Sequence, residues 1–538
     1  MKTIDQVSSD KLRGGFYSPV PLVAVCLERI QELLSGGRTG LRLLEPSAGD
    51  GAFIRGLRAH PLRENVDSVL AAELIAEEAA ACAEAGRGAS FQVQVRQGSF
   101  LNPSLVSEEE FDAAVGNPPF VRFQFVGDEE RLFALDVAEK MGLTLKGVSN
   151  LWIPIFLGAL NKLREGGAFA FIIPAECLTG ISASTVRRWL LRNVSELRVD
   201  LFSPGSFPGV LQEIVILSGR RASMSGSATI TVRESWHSER VWEHSVKDES
   251  PTWTRYLLNP VQLLALEQAS HLPEAKSVGS FAKFSVATVT GANDFFSVDS
   301  VTVEKYQLDP WVVPLLPRIR HAEGLTYGEL DHSLNVSSGL RAHLLDFSRG
   351  PSPENYPGAL RYLAEGEEQK LHERYKCRIR DPWYCVPVVP AGSLLLSKRS
   401  HFYPRVVVNE AKAITTDTIY QAKMLPSASG LVEPFAASFH NSLTLLSAEI
   451  EGRSFGGGVL ELVPSEVGRL RIFVPAAMGD DLIKLDEIAR SSNEDRDEDL
   501  IRETDRRLSK HISGLDDATL TALADSRMEL QKRRLDRN

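Results

Sequence analysis

At 538 residues the chain is too long for one ordinary hydrophobic core, so we expect two folded domains and a small additional segment. Hydrophobic residues make up 43% and charged residues 24%, which is a globular composition and excludes collagen-like, coiled-coil and low-complexity classes. The net charge of −10 argues weakly against a nucleic-acid partner, although such binding needs one basic face rather than a basic whole.

The N-terminal residues carry no apolar run, so they do not predict a secretory signal. The most apolar stretch, residues 168–174, is far shorter than the roughly 20 residues that span a bilayer. We therefore expect a cytoplasmic protein without a membrane segment. The five cysteines form no CxxC pair and the histidines show no ligand spacing, which favours reduced thiols and no metal site. Glu410-Ala411-Lys412 has no convincing partner for a nuclease motif.

In chain order, short apolar runs alternate with helical patterns between about residues 41 and 217. Continuous apolar runs without polar alternation are typical of strands that are covered on both faces. Strands alternating with helices predict an α/β fold with a parallel, doubly wound sheet. The predicted strands are 41–45, 68–73, 111–116 and 168–173, and the predicted helices are 52–59, 74–85 and 151–163.

After about Ser218 the segments become shorter and richer in Trp, Tyr and Pro, which indicates a second, mixed α+β domain. Residues 225–260 are interpreted as a linker or a hairpin. The last stretch is dense in charged residues, with leucines at helical spacing, and is interpreted as a solvated helical appendage. The predicted domains are 1–245, 246–476 and the charged helical tail 477–538.

A glycine-containing turn follows the first predicted strand and precedes the first helix. Small residues let the backbone pass close to a ligand, and the helix start offers free N–H groups. Glu73 ends the next strand, 22 residues beyond Gly51 (73 − 51), where a carboxylate can accept both hydroxyls of a ribose. Either feature alone fits an ordinary turn or surface acid, but together they predict a ribose-bearing cofactor. The turn's candidate ligands are Glu45, Ser47, Gly49, Asp50 and Gly51.

Asn117-Pro118-Pro119-Phe120 follows the strand 111–116 and is the most specific signal in the chain. The two prolines hold the backbone extended and leave carbonyl acceptors. The Asn117 side-chain oxygen and the Pro118 carbonyl can accept the two N–H bonds of a planar amine, which frees its lone pair for methylation. Phe120 offers a flat face on which a base can stack. The alternative interpretation is a strand-to-loop turn with two prolines and no function.

These motifs, in this order, resemble gamma-type adenine-N6 DNA methyltransferases of bacterial restriction–modification systems. The resemblance covers the first ~220 residues well and implies a Rossmann-like domain that uses S-adenosyl-L-methionine. By the same resemblance, Tyr17-Ser18 belongs to an N-terminal cofactor segment, Leu74 follows the ribose-binding acid, and Ser99-Phe100 holds the cofactor's adenine. Phe207 would pack on the other face of the flipped target base, opposite Asn117 and Phe120.

Two residues depart from the family pattern. Ser99 stands where the family usually has Asp, so the hydrogen bond to the cofactor's amino group would lack a charge. Phe120 replaces the more common Tyr, which leaves stacking intact. The resemblance continues less specifically over about 277–475, the expected target-recognition domain, in residues 289–296, 380–384, 409–411, 445–449 and 452–458.

Between residues 369 and 405 eight basic side chains are opposed only by Glu373 and Asp381, and the aromatic residues Trp383, Tyr384, Phe402 and Tyr403 are interleaved. Basic and aromatic residues together are typical of nucleic-acid binding. The alternative is a solvated face beside buried aromatics. The predicted contacts to double-stranded DNA are Arg378, Arg380, Lys398, Arg399 and Arg405.

Two other functions stay open at this point. Methyltransferases of protein glutamine or RNA share the Asn-Pro-Pro-aromatic motif, although they usually lack a ~250-residue domain after the catalytic one. A DNA-binding specificity protein with a vestigial methylase fold is the non-enzymatic alternative. The sequence also leaves open a separate cognate restriction endonuclease and the oligomeric state.

Overall fold

The computed structural model shows two compact units, one ending at Pro260 and one running from Val261 to Leu535. The sequence pattern had placed this boundary at 245/246. The residues that the structure describes are 18–34, 38–106, 110–143, 150–179, 183–202, 213–222, 228–234, 240–246, 252–455, 457–491, 493 and 495–536.

Within the described residues of the first unit, nine strands form one sheet in the order β3-β2-β1-β4-β5-β7-β6-β8-β9. Strands β3, β2, β1, β4 and β5 are parallel neighbours, as the alternating pattern predicts. The strands are β1 (Leu41–Glu45), β2 (Val66–Glu73), β3 (Gln92–Gln97), β4 (Phe111–Gly116), β5 (Leu163–Pro174), β6 (Val194–Leu201), β7 (Ile214–Arg221), β8 (Ala228–Glu234) and β9 (Val241–Val246).

The sheet is not wholly parallel, because β7 runs antiparallel between β5 and β6. The region interpreted as a linker or hairpin contains the antiparallel pair β8 and β9, and β8 extends the sheet beside β6. The apolar run of β7 resembles those of the parallel strands β4 and β5, so composition alone does not reveal its direction.

Helices pack on this sheet through apolar side chains. The most apolar helix buries Phe156, whose ring meets Phe169 and Phe171 of β5 edge-on at centroid distances of 5.7 and 5.2 Å. Such pairs stabilise a core beyond simple area burial. The helices of the first unit are α1 (Val20–Leu33), α2 (Ala52–Ala59), α3 (Ala76–Ala85), α4 (Asp128–Lys140), α5 (Trp152–Asn161), α6 (Glu176–Thr179) and α7 (Ser184–Asn193).

The second unit is mixed α+β, as expected. In its described part, five strands form a sheet in the order β11-β19-β16-β18-β14, accompanied by two three-stranded sheets and one two-stranded sheet. Its strands are β10 (Lys276–Ser277), β11 (Ala282–Val286), β12 (Ser297–Val298), β13 (Val312–Pro314), β14 (Thr326–Tyr327), β15 (His343–Leu345), β16 (Leu394–Ser397), β17 (Arg399–Ser400), β18 (Val406–Asn409), β19 (Ile419–Met424), β20 (Arg453–Phe455), β21 (Val459–Glu461) and β22 (Arg471–Ile472).

Helices cover these small sheets, and the first of them begins at the boundary between the units. They are α8 (Pro260–His271), α9 (Asn293–Phe296), α10 (Ser300–Tyr306), α11 (Glu329–Ser337), α12 (Pro357–Glu368), α13 (Tyr375–Arg378), α14 (Val432–Phe439), α15 (Ser442–Glu451), α16 (Pro464–Val467), α17 (Leu482–Ala489), α18 (Arg496–Leu508) and α19 (Asp517–Leu535).

The charged C-terminal stretch is helical but is not a solvated appendage. Arg534 of α19 is 2% exposed and forms a buried ion pair with Glu449 of α15. Its guanidinium also donates to the backbone carbonyls of His401 and Phe402. Some of the charged side chains that predicted a solvated tail therefore form buried ion pairs and hydrogen bonds within the second unit.

No helix in the described ranges is long and apolar enough to span a membrane. Four of the five cysteines are buried and all are free thiols. Among the residues described, no group of three or more acidic, histidine or cysteine side chains is arranged to hold a metal ion.

Candidate active site

The candidate site lies where β3, β2, β1 and β4 end, which we call the carboxyl edge. Because these strands are parallel neighbours, the residues that follow each strand lie beside one another. The register pairs Leu44 of β1 with Ala114 of β4. A Cβ atom built on Gly116 would lie 3.4 Å from Pro46 Cδ, so the glycine turn and the Asn117 motif are in close contact.

The turn after β1 requires its glycines. Gly49 has φ +51° and Gly51 has φ +84°, a left-handed backbone that glycine adopts readily. A Cβ atom on Gly51 would lie 2.8 Å from Ala85 Cβ and 3.0 Å from the Cα of Cys82, so a side chain there would push α3 away. A Cβ atom on Gly49 meets nothing within 4 Å, which leaves room for a ligand beside the turn.

Glu73, at the end of β2, is fixed by the backbone around it. Its Oε2 accepts from Gly49 N at 2.8 Å and its Oε1 accepts from Ile75 N at 2.9 Å. A carboxylate offers about four acceptor positions, so both oxygens keep capacity for the hydroxyls of a ribose. The structure thus joins the two cofactor motifs through one side chain.

Glu45 and Ser47 hold buried oxygen atoms that a ligand could satisfy. Glu45 Oε2 and Ser47 Oγ have no hydrogen-bond partner within the part of the chain that is described. Burial, assisted by the charges of Glu73 and Asp50, raises the pKa of the Glu45 carboxyl well above its usual range. Buried polar atoms normally have partners, so orphans at a ligand site suit a bound group. The cationic ammonium and sulfonium of S-adenosylmethionine fit this acidic edge.

Two other predicted cofactor residues have different environments. Asp50 forms a hydrogen-bonded ion pair with Arg55 on the surface of α2. Leu74 follows Glu73 and is 55% exposed, an unusual position for a large apolar side chain and a suitable one for contact with a flat ligand ring.

Ser99 and Phe100 follow β3. The Phe100 ring is buried, and a Cβ atom built on Gly158 of α5 would lie 3.1 Å from it, so the ring packs closely on that helix. Ser99 Oγ donates to Glu130 Oε1 at 3.0 Å and accepts from Leu101 N at 3.3 Å. Sequence reasoning missed Glu130, because a glutamate in the first turn of a helix is common for reasons of the helix dipole.

Asn117 is half-buried, and its side-chain nitrogen donates to Ser18 Oγ at 3.2 Å. This hydrogen bond identifies the nitrogen end of the amide and turns the carbonyl oxygen in another direction. Pro118 is buried, whereas Pro119 and Phe120 are half-buried, with Phe120 packed at the border of the sheet's core. Ser18, predicted as a cofactor ligand, therefore contacts the catalytic motif directly. Tyr17 and Phe207 lie outside the described residues.

Of the five basic side chains predicted to contact DNA, three have partners within the described residues of their own unit and two do not. Arg380 donates to the carbonyls of Val289 and Thr290, both at 2.7 Å, and Arg405 donates to those of Glu323 and Gly324 at 2.9 and 2.8 Å. Both guanidinium groups hold loops of their own unit.

Arg399 pairs with Glu461 at 2.5 Å. Arg378 is exposed and Lys398 is half-buried, and neither has a side-chain partner among the residues described.

The interleaved aromatics differ in burial. Trp383 packs between Phe295 and Phe296 at centroid distances of 5.6 and 6.2 Å, and Tyr384 packs on Phe347 at 5.6 Å. Tyr403 is buried, whereas Phe402 is 61% exposed. Tyr375, between the basic residues of the same stretch, is 65% exposed. The aromatics between 369 and 405 thus divide between the two interpretations, with one ring buried, two half-buried and two exposed.

The loop between β13 and β14 carries two cations that lie outside the predicted DNA-binding residues. Arg318 and Arg320 are exposed, and in the described parts of the chain neither side chain has an ion pair or hydrogen bond. Thr418 Oγ1 lies 3.5 Å from Pro317 O, and the neighbouring Asp417 accepts from Asn293 Nδ2 at 3.1 Å. The stretch 369–405 is recognisable in the sequence because it holds eight basic residues. Arg318 and Arg320 are only a pair, which is too few to predict a binding surface.

Comparison with known proteins agrees with this architecture. Residues 67–204 match the family described as Eco57I restriction-modification methylase, and residues 250–509 match the C-terminal domain of Type II methyltransferase M.Eco57I. Type II methyltransferase M.AccI of Acinetobacter calcoaceticus is 19% identical over 470 residues, which cover 84% of each chain. Type II methyltransferase M.XamI of Xanthomonas campestris pv. amaranthicola is 23% identical over 480 residues, which cover 85% of each chain.

A solved structure shares the fold over nearly the whole chain. The structure of the Type IIL restriction-modification enzyme MmeI in complex with DNA covers 95% of this chain and 74% of that chain, with a TM-score of 0.56 and 13% identity. The matched family and the curated relatives identify the class of protein as an S-adenosylmethionine-dependent methyltransferase. The chain belongs to the restriction–modification DNA methyltransferases, in the family of the Eco57I methylase.

Proposed function

We propose that the enzyme methylates the N6 amino group of an adenine that is flipped out of duplex DNA, and so protects that DNA in a restriction–modification system. The observation that carries the proposal is the contact between the Asn117 motif and the glycine turn at the carboxyl edge. The proposal includes a cytosolic location and a separate cognate restriction endonuclease.

The residues at the end of β4 suit a planar amine. S-adenosylmethionine supplies an electrophilic methyl group. The Asn117 side-chain oxygen and the Pro118 carbonyl accept the two N–H bonds of the amine, which makes its nitrogen more nucleophilic. Ser18 holds the Asn117 amide in one orientation. Phe120 stacks on the base, a contact worth about 1–3 kcal/mol. Catalysis then depends on orientation and preorganised dipoles rather than on an acid of unusual pKa.

A base inside a duplex cannot enter such a pocket, so it must leave the stack at a cost of a few kcal/mol. The second unit is proposed to hold the duplex. Its exposed, unpaired cations Arg318, Arg320 and Arg378 are the side chains best able to contact phosphates. Arg380, Arg399 and Arg405, from the predicted set, would act indirectly, through the loops and strands that they hold.

The test is transfer of a labelled methyl group from S-adenosylmethionine to duplex DNA, followed by chromatography of the digested nucleosides. We expect label in N6-methyladenine. Asn117→Ala should lower the rate by about 10²-fold or more. Asn65→Ala is the matched control, because Asn65 is half-buried like Asn117 but precedes β2, at the end of the strand away from Glu73, and its loss should leave the rate unchanged.

Parallel reactions with ribosomal RNA and with a release factor separate the alternative acceptors. Label in methylcytosine alone, or in RNA or protein but not in duplex DNA, would overturn the proposed substrate.

A further inference from the structure

Ser99 lies beside the ribose-binding acid at the carboxyl edge. Strand β3 ends at Gln97, and Gly98 N donates to the backbone oxygen of Glu73 at 2.8 Å. The chain therefore leaves β3 next to the end of β2, and Ser99 is the first side chain beyond that contact.

The order of the strands assigns this position to one part of the cofactor. Reaction takes place at Asn117 after β4, and the ribose is placed at Glu73 after β2. In S-adenosylmethionine the sulfonium and the purine are attached to opposite sides of the ribose. With the sulfonium toward β4, the purine extends toward β3, the next strand in the order. This placement rests on the proposed function and brings the purine to Ser99.

The single hydrogen-bond donor of Ser99 is already used within the protein. The hydroxyl donates to Glu130 Oε1 at 3.0 Å and accepts from Leu101 N at 3.3 Å. A hydroxyl has one donor and two acceptor positions. Ser99 can therefore offer a ligand only a remaining lone pair, and it suits a ligand that donates.

Glu130 brings a carboxylate to the same place from α4. Its Oε2 has no hydrogen bond within the described ranges, and burial raises the pKa of the carboxyl although the Ser99 hydroxyl opposes this. The start of α4 is held by Arg131, which donates to the carbonyls of Phe123 and Val126, both at 2.9 Å. The carboxylate is thus carried by a fixed helix end rather than by a free side chain.

We propose that Glu130, hydrogen-bonded to Ser99, is the anionic acceptor for the exocyclic amine of the cofactor's purine and selects a 6-amino over a 6-oxo purine. The pair takes the place of the single Asp that the family usually carries at position 99. An amine donates two hydrogen atoms to acceptors, whereas a 6-oxo group presents an acceptor to Ser99 and Glu130 and is repelled.

Calorimetric titration of the full chain with S-adenosylhomocysteine and with its 6-oxo counterpart, S-inosylhomocysteine, tests the proposal. The wild-type protein should prefer the adenosine ligand. Glu130→Gln should weaken S-adenosylhomocysteine by about tenfold or more, since a hydrogen bond to a charged group is lost, and should shrink the preference over the inosine ligand.

Glu129→Gln is the matched control, because Glu129 is exposed in the same first turn of α4 and its loss removes the same helix-dipole contribution. It should leave both affinities within twofold of wild type. Ser99→Asp combined with Glu130→Gln returns a carboxylate to the pair and should restore the preference. Melting curves of each variant check that the fold is retained.

Equal effects of Glu129→Gln and Glu130→Gln would reduce Glu130 to a helix-start residue and overturn the inference. An unchanged purine preference in a folded Glu130→Gln variant would do the same while leaving the proposed function intact. A wild-type protein that binds neither nucleoside would instead overturn the cofactor placement, and this inference with it.

Discussion

At the carboxyl edge of the first unit, Glu45 and Ser47 keep buried oxygen atoms without partners, whereas in the second unit Arg380 and Arg405 donate to carbonyls of their own chain. Both regions attracted attention through residue type, acidic and small in one, basic and aromatic in the other. The difference teaches that residue type alone does not distinguish a side chain with free hydrogen-bonding capacity from one whose capacity is used inside the fold.

The comparison predicts its largest effect on stability in the second unit. Arg534→Ala leaves the buried Glu449 carboxylate without its partner, and breaking such a pair costs about 3–5 kcal/mol. The free energy of unfolding, measured by denaturant titration, should fall by that order. Arg506→Ala is the control, since Arg506 pairs with Glu503 on the surface and its loss should leave the free energy of unfolding nearly unchanged. Equal small losses would show that Arg534 is no more committed to the fold than a surface arginine.

A smaller effect is expected at the carboxyl edge, where a change at Ser18 should lower the rate of catalysis without weakening cofactor binding. Ser18→Ala removes the hydrogen bond that orients Asn117, so kcat should fall about tenfold while the Kd for S-adenosylmethionine stays within twofold. Ser18→Thr keeps a hydroxyl and should recover most of the rate. A variant with normal kcat and weakened cofactor binding would return Ser18 to the role of cofactor ligand that the sequence suggested.

The smallest effects concern the cations of the second unit. Arg318→Ala and Arg320→Ala should each reduce the slope of log K against log salt for duplex binding by about 1, as expected for a lost phosphate contact. Arg380→Ala and Arg405→Ala should instead lower the melting temperature and leave the slope unchanged, because their guanidinium groups hold loops. A reduced slope for Arg380→Ala and Arg405→Ala, with an unchanged slope for Arg318→Ala and Arg320→Ala, would contradict this assignment. It would support the prediction that residues 369–405 contact the duplex.

Much of the catalytic unit could be predicted from local pattern. Strands 41–45 and 111–116 and helix 52–59 coincide with β1, β4 and α2, because continuous apolar runs and glycine turns act over short stretches. The direction of a strand in the sheet, in contrast, could not be predicted from local pattern. The antiparallel β7 and the hairpin β8–β9 depend on which neighbour each strand pairs with, and that information is spread along the chain.

The density of charged residues predicted solvent exposure poorly. The tail after 477 has the composition of a solvated helix, yet Arg534 and Arg527 are each 2% exposed. Trp383 and Tyr384, which are interleaved with the basic run that predicted nucleic-acid binding, lie in an aromatic cluster with Phe295 and Phe347. Composition cannot distinguish these outcomes, because burial depends on what packs against each face.

By itself the sequence determined which residues are the candidates for the chemistry of the site: Asn117 to Phe120 are proposed for a planar amine, and the glycine turn with Glu73 for the cofactor. These motifs are local, since each is a strand end and the turn that follows it. Only the tertiary structure decided that Ser18 orients Asn117, that Glu130 joins Ser99, and which arginines remain available to a partner. Those pairings join residues 31 to 99 positions apart, and the folded chain alone brings them within hydrogen-bond distance.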